Sequence, residues 1–339
     1  MADIVEQMTN YRISQIELAE ARYYEDLIRA LDKIEKDIMA YVGTLPIKEG
    51  KLFELQSAIS SRPIIKEILE REYLSWSDKV VREGLNKQSK RIERAFKSIG
   101  RIPIEFQQLT NSDLSVITNL KKQMFSQFKD VANTFTRTIS DKIYQSTLVG
   151  TNFTELQTEL RQTINGIYAT ANDTEVQKLI NQIKKDEVRV RRLTGPQRIL
   201  VRTKLDKNIQ TLQSKYATTR SGENMKRYAG QILNDGLREF DATLNLHKSV
   251  EAGLTMCKYF GNIIPTTRDH CRLVRSGEYD IRNGGLFTID EVKSLWASKS
   301  WKGKKSGDPL LVRGGYNCRH QWSFVNPDWY DESGTIITE

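Results

Sequence analysis

Long hydrophobic runs are missing from this 339-residue sequence, and no apolar stretch approaches the ~20 residues of a membrane-crossing helix. The start, "MADIVEQMTNYR", lacks a basic segment followed by an apolar one, so it does not read as a secretory signal. Cysteine is scarce. Three residues at irregular spacing make an odd count, which argues against a secreted disulfide framework and for synthesis in a reducing cytoplasm. Familiar catalytic motifs are absent too: there is no Walker-type loop, no GxGxxG after a strand, no HExxH and no GxSxG. Hydrophobic residues make up 38% and charged residues 28%, a balance that suits long, solvent-washed helices better than a deeply buried α/β core.

These scarcities are unevenly distributed. The first 250 residues hold ten glycines, four prolines and one tryptophan. The last 89 hold another ten glycines, three prolines, four tryptophans, all three cysteines and two of the three histidines. The expected organisation is therefore an N-terminal helical region (1–110), a long-helix region with a basic segment (111–250) and a small α+β unit rich in Cys, His and Trp (251–339). The fold class is mainly α, with long helices in an elongated arrangement and a small α+β C-terminal domain.

Upstream of 250 the apolar residues recur at spacings of three and four, the period of a helix with one buried face. "SQIE" (14–17) has the form of a capping box opening such a helix. Leu27, Leu31, Ile34, Ile38 and Tyr41 continue the stripe until Pro46 and Gly50 break it. A second helical stretch covers roughly 51–98, interrupted at Pro63, and "GRIPIEF" is a connector. The longest stripe runs through Leu114, Ile117, Leu120, Met124, Phe128, Val131, Phe135, Ile139 and Ile143. At ~1.5 Å per residue it predicts a helix on the order of 50 Å long. Gly150 reads as its stop, with Thr151 or Thr154 capping the next helix. Further helices are expected over about 174–192, up to about 216, and within 221–250. Stripes this thin need cover that a single chain is short of, so packing on neighbouring copies or a partner surface is expected.

The formal charge of +9 is concentrated. Residues 184–220 carry eleven Lys/Arg against three Asp/Glu, and residues 86–101 carry six against one. A polyanion such as DNA fits that pattern, with Lys87, Lys90, Arg91, Arg94, Arg189, Arg191, Arg192, Arg198, Arg202 and Lys204 as contact candidates. A solvated helix face fits it equally.

Beyond Gly253 the period changes. "LTMCKYFGNIIPTTRDHCRLV" reads as a strand and a loop through Pro265 that leads into Arg268–Val274. "TIDE" (288–291) is a second capping box, opening a helix through Trp296, with a Gly284-Gly285 turn before it. "LLVR", "GG" and "YNCRHQWSFV" read as a strand, a tight turn and a strand. Alternation puts Tyr316, Cys318, His320, Trp322 and Phe324 on one inward face and leaves Arg313 and Arg319 for the opposite face or for partner carboxylates. Cys257, His270, Cys271, Cys318 and His320 are enough ligands for a structural zinc, although no C-x₂₋₄-C knuckle is present. Buried, reduced cysteines in a small core are the competing reading. A Cys318–His320 nucleophile pair lacks a third, orienting residue, and Asp269, Asp290 and Glu291 are explained by loops and caps.

The order "TTRDHC" (266–271) … "NCRH" (317–320), led in by the helix "MKRYAGQILNDGLREFDATLN" and separated by "SGEYDIRNGGLFTIDEV", resembles the Mu F-like minor head proteins of tailed phages, the head morphogenesis family. Upstream, "IYQSTLVGTNFTELQTELRQTI" is similar to the helix–Gly–helix segment that often precedes this unit. The likeness covers a third to half of the chain and rests on Arg268, Gly314, Gly315, Asn317, Cys318 and Arg319. The sequence departs from the fuller pattern in lacking a second cysteine close to Cys271 and in ending on His320 rather than Cys. The resemblance implies a non-enzymatic virion protein, made in the host cytoplasm and placed in the head interior or at the head–tail junction. It also implies portal and capsid partners, multiple copies per virion and contact with packaged DNA. The alternatives are a nucleic-acid-binding protein acting through its basic helices, and a Cys–His enzyme or toxin-like domain.

Overall fold

The computed structural model describes residues 3–166, 182, 185, 186, 189, 193, 197, 200–205, 207, 208, 211, 224–265, 267–276, 285–316, 318–332 and 335–337. It is mainly α-helical, with a small three-stranded sheet near the C-terminus. In chain order, α1 (Ile4–Gly43) leads into a two-residue hairpin of β1 (Ile47–Lys48) and β2 (Lys51–Leu52). Then come α2 (Leu55–Ile59), α3 (Ser61–Leu69), α4 (Ser75–Lys79) and α5 (Leu85–Ile99), with π-helical turns at Glu70–Leu74 and Val80–Gly84. The short α6 (Ile104–Gln107) precedes α7 (Asn111–Val149) and α8 (Phe153–Asn165). The long helix α9 (Met225–Glu251) feeds β3 (Met256–Phe260), α10 (Asp269–Ser276), β4 (Phe287–Thr288), α11 (Ile289–Ser298), α12 (Pro309–Val312) and β5 (Gln321–Val325). Among the described residues no helix is long and apolar enough to cross a membrane.

The chain divides into two compact units that do not follow its order. One gathers residues 1–19, 81–124 and 234–339; the other gathers 20–80 and 125–233. In the second unit the expected stripes form the core: Leu27, Leu31, Ile34 and Ile38 of α1 and Phe128, Phe135, Ile139 and Ile143 of α7 are buried, as are Leu156, Leu160 and Ile164 of α8. Tyr73, Trp76 and Phe128 cluster at centroid separations of 5.5, 5.1 and 6.1 Å, and the Trp76 indole N–H donates to the Tyr23 carbonyl at 2.9 Å. These stripe residues are thus buried within the chain itself. Of the α7 stripe only Leu114, 49% exposed and in the other unit, is left to solvent.

The first unit is built around polar side chains as well as apolar ones. The Arg12 guanidinium on α1 reaches the Asp241 carboxylate (2.5 Å) and Asn245 (2.7 Å) on α9, while Gln88 of α5 donates to Asp241 at 2.7 Å. All four residues are buried. Asn245 donates in turn to the Trp322 carbonyl of β5 at 3.2 Å, joining helix to sheet. In that sheet β3 is central: it pairs antiparallel with β4 (Cys257 opposite Phe287) and with β5 (Tyr259 opposite Trp322).

Several local expectations are corrected. "SQIE" lies inside α1; the helix starts instead at Ile4, after Asp3, whose carboxylate accepts from the Val5 N–H at 2.8 Å. The second helical stretch breaks at Ser60, not at Pro63. Pro63 falls in the first turn of α3, where a missing N–H costs nothing. Asn152 rather than a threonine caps α8, accepting from the Thr154 N–H. "LLVR" is the one-turn helix α12: Asp308 caps the Leu310 N–H at 2.9 Å and Pro309 supplies a helix-ready first position. A short apolar run does not distinguish strand from helix, and here the cap decides. The partner of β5 is therefore β3, not "LLVR". Tyr316 is 40% exposed rather than inward, whereas Arg313, given to the outer face, is buried at φ 57°. The "TIDE" box forms as expected, with Thr288 and Glu291 capping α11 reciprocally.

Candidate metal centre

Two segments bring a cluster of sulfur and imidazole together. The first turn of α10 presents Cys271, and the run entering β5 presents Cys318 and His320. The Cys271 and Cys318 Sγ atoms are 3.9 Å apart, and His320 Nδ1 is 3.7 Å from the Cys318 sulfur. All three side chains are buried, and their ligand atoms lie close enough together to hold one metal ion. From the centre of β3 the Tyr259 hydroxyl reaches both sulfurs, at 3.5 and 3.3 Å, and its ring stacks on His320 (5.1 Å, 11°).

Two glycines make room for this arrangement. A Cβ on Gly314 would stand 2.3 Å from the Cys271 sulfur and 2.9 Å from that of Cys318, so only bare backbone can cross the pair there. Gly261, at φ +138°, lets the chain leave β3 directly over the His320 ring, where a Cβ would sit 2.7 Å from Cδ2. Burial opposes a Cys318 thiolate, but hydrogen bonds from Cys271 and His320 and the Arg313 charge outweigh it and hold Cys318 well below an ordinary thiol. Cys271 is pushed up, first by its hydrogen bond to Cys318 and then by burial.

The other expected ligands are elsewhere. Cys257 lies outside the cluster, with its thiol on the Phe287 carbonyl at 3.5 Å and its pKa raised by burial. His270 stacks flat on Trp301 (3.9 Å, 6°) and meets Trp296 edge-on; burial lowers its pKa to about 4. Among the signature residues, Arg268 ties the surrounding loops: its guanidinium donates to the Lys302 carbonyl (3.2 Å) and to that of Tyr316. Tyr316 donates its own N–H to Gly303 at 3.0 Å, and a Cβ on Gly315 would lie 2.1 Å from the Gly303 oxygen. Arg319 is half-buried, and Asn317 and Gly284 lie outside the described residues.

The candidate DNA contacts divide in the same way. On α5, Lys87, Lys90 and Arg94 are exposed at spacings of three and four, on one face with Lys97. Arg91 is half-buried and donates to the Gln15 carbonyl at 3.1 Å. Arg189 and Lys204 are exposed, Arg202 is half-buried, and Arg191, Arg192 and Arg198 lie outside the described residues.

A second constellation was not read from the sequence. His247 on α9 accepts or donates at Ser112 Oγ through Nε2 and meets Asp113 through Nδ1, both at 3.0 Å. Asp113, His247 and Glu251 also offer atoms close enough together to hold a cation. Asp113 is already heavily engaged. It forms a reciprocal cap with Thr110 at the start of α7 through Oδ2, and the same oxygen accepts from the buried Lys248 ammonium at 3.1 Å, leaving Oδ1 to His247. Burial raises its pKa, but these partners and His247 outweigh that and hold it below the usual carboxylate range. The available signal was "TNSD" (110–113), a capping-box spacing, together with His247 and Glu251 four apart on one helix face. No family model matches the sequence, and no curated protein or solved structure matches it either.

Proposed function

We propose that this chain is a minor head protein of a tailed bacteriophage that acts by binding rather than by catalysis. The supporting observation is that the two separated halves of the signature meet. Cys271 from "TTRDHC" and Cys318 and His320 from "NCRH" form one buried cluster, and Arg268 ties the loops around it. Residues that carry a resemblance and also form one folding element are expected of a scaffold used in assembly. In this reading the ion held by the cluster is structural zinc. The partners are portal and capsid proteins, several copies serve each virion, and the protein lies in the head interior or at the head–tail junction after synthesis in the host cytoplasm. Mass spectrometry of purified proheads and virions, with immunogold labelling in electron microscopy, tests this; absence of the chain from both particles overturns it.

A second reading, binding to DNA, is favoured by the exposed Lys87, Lys90, Arg94 and Lys97 along one face of α5. Phosphate contacts release counterions, so affinity for duplex DNA should fall steeply as salt rises. A flat salt response, or binding unchanged by Lys87→Glu with Lys90→Glu, removes this reading.

A further inference from the structure

We infer that Cys271, Cys318 and His320 bind one zinc ion, with the Tyr259 phenol oxygen at the fourth corner. The inference rests on the C-terminal fold and shares with the head-protein reading only the structural role of the ion.

The argument is geometric. Zinc at about 2.3 Å from sulfur and 2.0–2.1 Å from imidazole nitrogen implies tetrahedral edges of about 3.8 Å between two sulfurs and about 3.6 Å between sulfur and nitrogen. The observed separations are 3.9 and 3.7 Å. A phenol oxygen at about 2.0 Å from the ion would stand about 3.5 Å from each sulfur, and Tyr259 stands at 3.5 and 3.3 Å. Four of the six edges between these atoms, which come from four residues on three segments, therefore already match a zinc-sized tetrahedron, and the Cys271 sulfur lies within 4.8 Å of the His320 nitrogen. Soft sulfur with imidazole selects zinc over magnesium or calcium, which take oxygen ligands. Two thiolates also neutralise the ion's double charge, which a buried site requires. Both cysteine thiols give up their protons to solvent as the ion enters, and no electron changes hands.

A disulfide is the competing use of the two cysteines. It needs the sulfurs at about 2.05 Å, and it would leave His320 and Tyr259 converging on nothing. Gly314 adds a second reason to read the site as built. The backbone passes so close to both sulfurs that any side chain there would occupy the sulfur pair's own space.

The test uses the full chain, purified under reducing conditions from zinc-supplemented medium. Elemental analysis should find about one zinc per chain. Cobalt(II) exchanged for zinc should give the intense visible bands of a tetrahedral site and a thiolate-to-cobalt charge-transfer band. Cys257→Ser, a buried cysteine outside the cluster, should keep both signals, while Cys271→Ser and His320→Asn should lose them. Because those two variants risk misfolding, Tyr259→Phe is the milder probe. It keeps the ring and should weaken zinc binding by about 10- to 100-fold, judged by competition with a chromogenic chelator. Wild-type protein without stoichiometric metal, an octahedral cobalt spectrum, or a Cys271–Cys318 disulfide in the reduced preparation would each overturn the inference. Unchanged affinity in Tyr259→Phe would remove the fourth corner. Particle composition is measured separately, so a metal-free protein found in virions would reject the zinc site and leave the head-protein reading standing.

Discussion

The two compact units solve the same problem with different materials. The unit of residues 20–80 and 125–233 is held by aliphatic and aromatic stripes whose helices interlock. The unit of 1–19, 81–124 and 234–339 places buried ion pairs, Arg12–Asp241 and Lys248–Asp113, among its apolar side chains. Apolar packing is tolerant, because a lost methylene costs its transfer energy and a cavity, and neighbours partly relax. A buried charge is unforgiving, since each partner is stable only while the other is present. The stripe-built unit should therefore degrade gradually under substitution, and the charge-built unit abruptly.

The largest expected effect tests the abrupt side. Asp241→Leu strands the Arg12 guanidinium and should cost about 3–5 kcal/mol, measured by urea unfolding. Adding Arg12→Met should restore much of the loss, and a single substitution costing under about 1 kcal/mol would break the contrast. On the tolerant side, Leu31→Ala should cost about 2–5 kcal/mol, with no partner substitution that restores it by removing a second group. Acid sharpens the difference further. Asp113 has a folded pKa below its unfolded value, so its contribution is present above the unfolded pKa of about 3.9 and is lost as pH falls through the folded one. Hydrogen exchange on lowering pH should show protection failing around the start of α7 before it fails around Ile139; the reverse order would count against the comparison. The smallest effect is local: Asn152→Ala removes the α8 cap and should cost about 1 kcal/mol, seen as a small drop in midpoint with unchanged slope.

Legibility in the sequence followed the same line. Helical stripes are a one-dimensional signal, so α1, α7 and α9 could be read from spacing, as could the Thr288–Glu291 cap. Where local signals conflict, spacing misleads. "SQIE" matches a capping box but lies in mid-helix because Asp3 already satisfies the first amides, and "LLVR" became helical because Asp308 and Pro309 precede it. The π-helical turns in 70–84 carry no mark in the sequence that periodicity detects. Of the candidate site, residue types were legible but partnership was not. Cys257, Cys271 and His270 look equivalent on paper, and only the path of the chain past Gly261 and Gly314 selects Cys271. The charge network of Arg12, Gln88, Asp241 and Asn245 was invisible for the same reason, being assembled from three segments far apart in the chain.

That interleaving has a consequence for how the protein comes into being. The first unit draws on residues 1–19 and 234–339, and the second on 20–80 and on residues up to 233. A ribosome therefore delivers well over half of the polypeptide before α9, from which both units draw residues, begins to emerge. The nascent chain is exposed to aggregation for most of its translation, and chaperone dependence during synthesis should be set by the arrival of α9 rather than by the length already made.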